Sequence, residues 1–417
     1  IKDYYVEHYK SAKGKYDHYI LFVEQSLKLL NTKGYFSFII PNKFIHSNYG
    51  KGIKDVMLSQ QIIEIIDFND IQVFADATNY PCILVIKKEK PDKLFTYSIV
   101  EGIDSTFYLS KQIVINQNSL TNEAWILVDI KEQKVLDRLM YSNQKLEDQT
   151  EAITQGIRTG NLKVYFNEIN SQTIKENNLE RGLIKEVFHG KNVKRYSGSI
   201  DDNNDLLLFP YKSNYFTPVD INLYKNAQKY LEKFKAELQE RKDSGKVFKN
   251  TSKQWFEFWD PKAKCFESPK IVFPDISSRN NFYLDEEGKG YLNTCYAIFL
   301  KPGNDFKLYL GILNSKAVEF YIKKNCPFVR GGYYRYKTNY LKKIPLPSAF
   351  PKDISNKIII LVDNLLRLIK ELQKTKLDTQ RQQIQRTIDH TDKKIDELVY
   401  ELYGLTKEEI EIIEQIT

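Results

Sequence analysis

Cationic and aromatic side chains alternate over residues 323–343, and they are the residue types that bind nucleic acid. Cations neutralise phosphates and aromatic rings stack on bases, so this pattern favours a polyanion over a small apolar ligand. A solvated basic loop whose tyrosines cover a core is an equally good interpretation. The side chains are Lys323, Lys324, Arg330, Arg335, Lys337, Lys342 and Lys343, with Tyr333, Tyr334, Tyr336 and Tyr340 between them.

A helix and a proline-rich turn must position these residues. Apolar side chains at helical spacing predict a helix over 312–321, and the run Ile-Pro-Leu-Pro at 344–347 ends the stretch. The glycine pair at 331–332 lets the backbone approach a partner closely.

Composition narrows the classes of protein. A chain of 417 residues has room for two or three domains, and a net charge of +8 favours nucleic acid or an acidic surface. The four cysteines lie far apart without a CxxC or Cys/His cluster, which argues against zinc and disulfides and indicates a reducing compartment. Without a long apolar run or a signal peptide, we expect a soluble cytoplasmic protein that has no metal and contacts no membrane. The start at Ile1 indicates a fragment or a processed product.

The first ninety residues alternate between helix and strand. Helices are predicted over 19–30 and 52–58, and strands over 35–40, 62–68 and 82–87. This order is typical of the trailing end of a doubly wound α/β sheet. Asn42 and Lys43 follow a strand, where ligands meet such sheets, and are interpreted as phosphate-facing or loop-structural residues.

Residues 13–55 and 65–88 resemble the back half of the N6-adenine DNA methyltransferase domain of type IIG restriction-modification enzymes. The resemblance implies that loop 73–81 stacks on a flipped adenine through Phe74, with Tyr80 as second choice. Without it, Phe74 would be interpreted as a core residue at a strand end.

In that family, S-adenosylmethionine is held by a half of the domain that precedes such a sequence, and so is the Asn-Pro-Pro-Tyr motif. This sequence contains neither that motif nor a G-x-G turn after a strand. We therefore assign no catalytic residue, and we expect the cofactor to bind the full-length protein and not this chain alone.

The middle of the chain resembles TaqI-like specificity domains over residues 156–347. Strands at 270–278, 282–284 and 291–300, the LGILNSK helix and the terminal IPLP occur in the family's order. The resemblance implies recognition of double-stranded DNA, with Arg279, Asn281, Arg330 and Arg335 as readers of base edges in the major groove. All candidates for DNA contact are Arg158, Lys163, Lys191, Lys194, Arg195, Tyr196, Lys212, Arg279, Asn281, Arg330, Tyr334, Arg335 and Lys337.

Two further patterns in this region concern packing. A charged helix over 220–241 is predicted to lie on the surface. The aromatic run KQWFEFWDPK, which carries Trp255 and Trp259, is interpreted as core in preference to a stacking platform.

The last segment predicts two long amphipathic helices, from apolar spacing over 354–372 and 384–402. They form an antiparallel hairpin or one continuous stalk, and such helices set domain distances or join subunits. Gly404 ends the second helix, and residues 406–409 form a capping box for a short final one.

Together these patterns predict a mixed α/β and α+β protein. Residues 1–90 are the trailing half of a Rossmann-like methyltransferase sheet, 91–147 a linker, 148–350 an α+β target-recognition domain and 351–417 a helical pair. Within the linker, strands are predicted over 94–100 and 124–128 and a helix over 131–139. The predicted function is sequence-specific DNA recognition within an adenine methyltransferase of a restriction-modification or phage-defence system. The upstream part of the same protein would hold the methyltransferase motifs, and also the nuclease if the system has one.

Two alternatives stay open at this point. One is a non-catalytic type I-like specificity subunit, against which the methyltransferase-like segment and the single recognition domain count. The other is an α/β enzyme of different chemistry with a basic surface. For it the sequence offers no paired carboxylates, nucleophile elbow or metal-ligand cluster.

Overall fold

The computed structural model describes residues 2–13, 16–46, 50–69, 71–75, 80–92, 94–103, 107–123, 125–243, 245–329 and 331–417. The chain divides into two units. The first comprises Ile1–Arg138, Lys323–Tyr334 and Lys407–Gln415, and the second comprises Leu139–Ile322, Arg335–Thr406 and Ile416–Thr417.

Helices and strands alternate through the first 139 residues. In chain order they are α1 (Lys2–His8), α2 (Tyr19–Leu29), β1 (Tyr35–Pro41), α3 (Lys43–His46), α4 (Lys51–Leu58), β2 (Gln61–Asp67), β3 (Pro81–Lys87), β4 (Leu94–Ile103), β5 (Phe107–Asn116) and α5 (Ile130–Leu139).

One five-stranded sheet organises the first unit, in the order β1-β3-β2-β4-β5. Strand β3 pairs antiparallel with both β1 and β2, so β1 and β2 run in the same direction. Their carboxyl ends therefore meet at one edge of the sheet. Helices α2 and α4 bury Ile20, Val23, Ile53 and Met57 in the core of this unit.

The predicted linker over residues 91–147 is largely built into the first unit. Strand β4 pairs in parallel with β2, with Thr96 opposite Glu64, and β5 continues the sheet. The unit consequently extends to Arg138 and does not end at residue 90. Residues 125–129 form no strand, contrary to expectation, because Trp125 instead fills the core and donates its backbone N–H to the Ile45 carbonyl at 2.8 Å.

The remaining elements are short up to residue 300 and largely helical after it. They are β6 (Thr150–Gln155), α6 (Ser171–Glu176), β7 (Ile184–Phe188), β8 (Val193–Lys194), β9 (Ser197–Gly198), β10 (Leu206–Leu208), α7 (Lys225–Glu232), α8 (Lys235–Gln239), β11 (Lys242–Asp243), β12 (Lys246–Val247), β13 (Lys270–Pro274), β14 (Ile276–Ser277), β15 (Tyr283–Asp285), β16 (Gly290–Tyr291), β17 (Cys295–Leu300), α9 (Phe306–Asn314), α10 (Lys316–Asn325), β18 (Phe328–Val329), β19 (Tyr333–Arg335), α11 (Thr338–Leu341), α12 (Lys352–Lys374), α13 (Asp378–Tyr403) and α14 (Lys407–Ile416).

Two small sheets form the centre of the second unit, in the orders β15-β13-β17-β6 and β10-β7-β16. All five residues of β13 are buried, including Lys270, which lies opposite Asp285 of β15. The two side chains form a fully buried ion pair, and Lys270 Nζ also donates to the Glu267 carbonyl at 2.9 Å. Burial lowers the pKa of Lys270, and the charge and hydrogen bond of Asp285 oppose this shift.

The aromatic run at 254–259 is core, as expected, since Phe256 and Phe258 are fully buried. Arg241 pins this run by donating to the carbonyls of Trp255 and Glu257 at 3.0 and 2.9 Å. The expectation of one surface helix over 220–241 is wrong. The helix is interrupted at Phe234, which packs against the core. Arg241 is buried because its guanidinium donates hydrogen bonds to backbone carbonyls.

Helices α12 and α13 pack as an antiparallel hairpin joined by residues 375–377. Residues 357–361 lie beside 394–401, and 365–372 lie beside 385–392. Helix α9 packs on α12 at Gly311, where an added Cβ would lie 2.8 Å from Ile358 Cγ2. Helix α13 ends at Gly404, whose φ of 63° is the left-handed conformation that favours glycine.

Candidate nucleic-acid interface

The segment between β2 and β3 of the first unit, described at residues 68–69, 71–75 and 80, carries the predicted stacking residue. Phe74 is 47% exposed, so its ring is available to a partner and is not part of the core. The Gln72 side chain donates to the carbonyls of Phe74 and Ala75 at 3.2 and 3.0 Å, which orders the loop locally. Tyr80, the second choice, lies half-buried at the end of this loop, immediately before β3.

Asn42 joins both ends of this loop. Its backbone N–H donates to the Tyr80 carbonyl at 2.8 Å, and its side-chain amide donates to Asp67 Oδ1 at 2.9 Å. Asp67 is the last residue of β2 and is buried, and it also accepts from the backbone N–H of Asn69 at 2.9 Å. Asn42 therefore has the loop-structural role that the sequence left as one of two possibilities.

The other oxygen of Asp67 is also occupied. Tyr97 on β4 donates its hydroxyl to Asp67 Oδ2 at 2.8 Å. Burial, together with the Asp67 charge, raises the pKa of Tyr97 well above its usual value, so the phenol keeps its proton and remains a donor. A single buried carboxylate at the end of β2 thus connects the residue that follows β1 with a tyrosine inside β4.

Arg195 and Tyr196, both predicted to contact DNA, face the interior of the second unit. The Nε and Nη2 atoms of Arg195 each donate to Asp392 at 2.8 Å, and Nη1 donates to the Asn314 carbonyl. The Arg195 side chain is only 11% exposed, and Tyr196 is buried beside it. This geometry gives Arg195 a structural role, since three of its five N–H donors are already used and its charge is paired with Asp392.

A cleft of about 470 Å³ lies between the β8–β9 turn, loop 278–281 and the α12–α13 hairpin. It brings together Lys194 and Arg279, which are both exposed, although they are 85 residues apart in sequence (279 − 194). Asn281 lines the cleft but its amide oxygen accepts from the Arg195 backbone at 2.9 Å. Gln385 and Asp389 of α13 also line the cleft.

Those two α13 residues were not among the predicted candidates. Polar residues on an amphipathic helix look alike in sequence, whether they face open solvent or a cleft. No local pattern could have selected them.

The other predicted DNA contacts are scattered over the second unit. Lys191 and Lys212 are exposed. Arg158 forms an ion pair with Asp243, and Lys163 lies 3.7 Å from Glu168. These positions are separate, and Arg158 in particular already has an anionic partner.

The basic stretch over residues 323–343 contributes residues to both units. In the first unit Tyr334 packs edge-on against Phe328, with ring centroids 5.4 Å apart, and Lys324 forms an ion pair with Glu132 at 2.9 Å. In the second unit Arg335 lies 3.7 Å from Asp275 and Lys337 is exposed. Arg330 lies outside the described residues.

Two kinds of feature are absent from the described residues. No group of three or more His, Cys, Asp or Glu side chains there is arranged to hold a metal ion. None of the described helices is long and apolar enough to span a bilayer.

The fold as a whole has a counterpart among solved structures. It superposes on the type IIL restriction-modification enzyme MmeI, solved in complex with DNA, with a TM-score of 0.67 at 14% identity. The match covers 98% of this chain and 53% of MmeI. The class is therefore a mixed α/β architecture like that of MmeI.

Sequence comparison is more specific. Residues 185–346 match the TaqI-like C-terminal specificity domain, and residues 1–74 match the Eco57I restriction-modification methylase. The chain is 25% identical to the type II methyltransferase M.BstVI of Geobacillus stearothermophilus, covering 98% of the chain and 71% of the relative. It is 24% identical to the type II restriction enzyme and methyltransferase RM.Eco57I of Escherichia coli, covering 97% and 44%.

These matches confirm the predicted resemblance to restriction-modification methyltransferases with a TaqI-like specificity domain. The chain spans 44–71% of the length of these two relatives.

Proposed function

We propose that this chain recognises a specific double-stranded DNA sequence as the C-terminal part of a site-specific N6-adenine DNA methyltransferase of a restriction-modification or phage-defence system. The observation that carries the proposal is the order of the two family matches, with a methylase match at 1–74 followed by a specificity-domain match at 185–346. The sheet order β1-β3-β2, in which an antiparallel strand separates two parallel ones, supports the trailing half of a Rossmann-like domain.

Phe74 would cover the adenine once it leaves the base stack. An enzyme that modifies a base must extrude it and hold it between aromatic or apolar faces. The exposed ring of Phe74 and the clamp that Asn42 forms across the loop ends support this role.

S-adenosylmethionine would supply the methyl group in the full-length protein, as the names of the relatives imply. The residues of this chain do not fit that cofactor, because they include neither an Asn-Pro-Pro-Tyr motif nor a G-x-G-x-x-G turn. This chain alone should therefore transfer no methyl group to adenine. Methyl transfer by the isolated chain would refute this part of the proposal.

Contact with the DNA backbone would come from exposed cations of the second unit. Lys191, Lys194, Lys212 and Lys337 are exposed, and lysines of this kind bind phosphates as point charges. Arg195 and Tyr196 instead lie beneath the surface and have a structural role. Joining of subunits through the α12–α13 hairpin stays a prediction.

The experiment that tests the proposal is binding of the chain to random duplexes and to selected ones across a salt series. Specific sites should be preferred by about a thousandfold or more, and affinity should fall steeply with salt. The Lys212→Ala variant should reduce the salt slope by about one, whereas Lys357→Ala, on α12 outside the candidate set, should leave it unchanged. Failure to bind any duplex at low salt would contradict the proposal.

A further inference from the structure

Arg335 lies beside the carboxylate of Asp275, which forms no other ion pair among the described residues. Its side chain is 40% exposed, and its Nη1 atom lies 3.7 Å from Oδ2 of Asp275. The two groups attract each other as opposite charges, but the distance between them is too long for a hydrogen bond. Among the described residues the guanidinium makes no hydrogen bond, so its fork of donors is available to a ligand.

The backbone around this pair is firmly held. Tyr336, the next residue, is buried, donates its N–H to the Asp275 carbonyl at 2.8 Å and donates its hydroxyl to Asn280 Oδ1 at 2.9 Å. Asp275 donates its own N–H to the Thr294 carbonyl at 2.8 Å. The arginine and the aspartate are thus linked through adjacent main-chain bonds, which reduces the entropy lost when a ligand is bound.

The environment of the Asp275 carboxylate favours a nearby cation. Its Oδ1 atom is buried and has no hydrogen-bond partner among the described residues. Burial raises the pKa of Asp275, and the charges of Arg335 and Lys337 lower it. A partly buried carboxylate without its own donors keeps a neighbouring guanidinium close, and therefore restricts the directions in which Arg335 points.

The carboxylate also decides which part of DNA suits Arg335. A phosphate placed on this guanidinium would lie close to Asp275 and be repelled by it, whereas a base edge is neutral. Guanine presents two acceptors, O6 and N7, that match the two-pronged donor set of arginine. We propose that Arg335 reads a guanine in the major groove and that Asp275 is the positioning residue that aims it.

The inference rests on the proposed function, because it assumes that the second unit binds duplex DNA. It adds the base that is read and the residue that prepares the reader. Lys337 is exposed and carries a compact point charge, which fits a phosphate instead, and it serves as the matched comparison.

The test is selection of preferred sites from random duplexes by the whole chain, repeated with Arg335→Ala, Asp275→Ala and Lys337→Ala. Arg335→Ala should lower the preference for guanine at one position by about 10- to 100-fold. Asp275→Ala should lower it at the same position by a smaller factor. Lys337→Ala should weaken binding to all sequences and reduce the salt slope by about one.

A phosphate contact by Arg335 predicts the opposite sign for Asp275. Removing a repelling carboxylate would then tighten binding to every duplex while base preferences stay the same, and that result would overturn the inference. Unchanged guanine preference in Arg335→Ala would overturn it as well.

A wild-type chain that selects no sequence would instead refute the proposed function, and the inference with it. If Asp275→Ala does not fold, the nearly isosteric Asp275→Asn replaces it. That variant should also lose guanine preference, because a neutral amide attracts the guanidinium weakly.

Discussion

Replacement of Arg195 by alanine should destabilise the second unit and not act directly on DNA binding. The substitution removes two charged hydrogen bonds of 2.8 Å to Asp392 and one to the Asn314 carbonyl. Breaking a buried ion pair on one side costs about 3–5 kcal/mol, since the remaining charge stays desolvated. Asp392 is 22% exposed and regains some water, so we expect a loss of about 3 kcal/mol, at the lower end of that range.

Urea unfolding of the chain, followed by tryptophan fluorescence, measures this loss. A double-mutant cycle with Asp392→Ala should give a coupling energy of about 1–3 kcal/mol, because the two side chains share most of the interaction. Lys194→Ala is the matched control. It removes the neighbouring exposed lysine, and should leave the unfolding midpoint unchanged while it weakens DNA binding.

The reasoning would be refuted if Arg195→Ala unfolded at the same urea concentration as wild type and reduced the salt slope of DNA binding. That outcome would mean that Arg195 leaves Asp392 and contacts phosphate, as its sequence context suggested.

Three further outcomes follow from the contacts. Burial raises the pKa of Asp396 to about 7, partly opposed by Arg195. The folded state therefore holds its proton more tightly than the unfolded state, whose pKa is near 4, and the free energy of unfolding should fall as pH rises from about 4 to 7. In Asp396→Asn, which keeps an acceptor for the Lys316 N–H at 2.8 Å, urea melts should show a weaker fall. Asn42→Ala should speed amide exchange over residues 68–75 and leave β3 protected, and equal protection in both proteins would contradict the clamp. Lys270→Ala should lower stability by about 3–5 kcal/mol, whereas Lys270→Met with Asp285→Leu should be closer to neutral in the same melts.

Elements with strong local periodicity were predicted within a residue or two. The first strand was expected over 35–40 and occupies Tyr35–Pro41, and the helix expected over 131–139 occupies Ile130–Leu139. Helix 220–241 failed because its charged face suggested a continuous surface helix, while Phe234 and Arg241 are drawn inward by tertiary contacts.

The candidate site was predictable by residue type and not by partner. Phe74 was selected by its place in a family pattern; the structure shows that it is exposed, and its stacking role stays a prediction. Arg195 was selected because it lies in a run of cations, and nothing near it in sequence indicated a carboxylate 197 residues away. Asp275 was not selected, because its importance depends on Arg335, 60 residues later (335 − 275).

The sequence by itself determined the order of helices and strands, the exposed and buried faces of the long helices, and the kinds of ligand that the cations and aromatics favour. These properties depend on residues within a few positions of each other, where backbone geometry sets the spacing. Tertiary structure alone decided which cations already have partners and which remain available to DNA. Whether a cation is paired or exposed depends on contacts between residues that are far apart in the chain and on what packs around it. Arg195 is paired with Asp392 and largely buried, whereas its neighbour Lys194 is exposed.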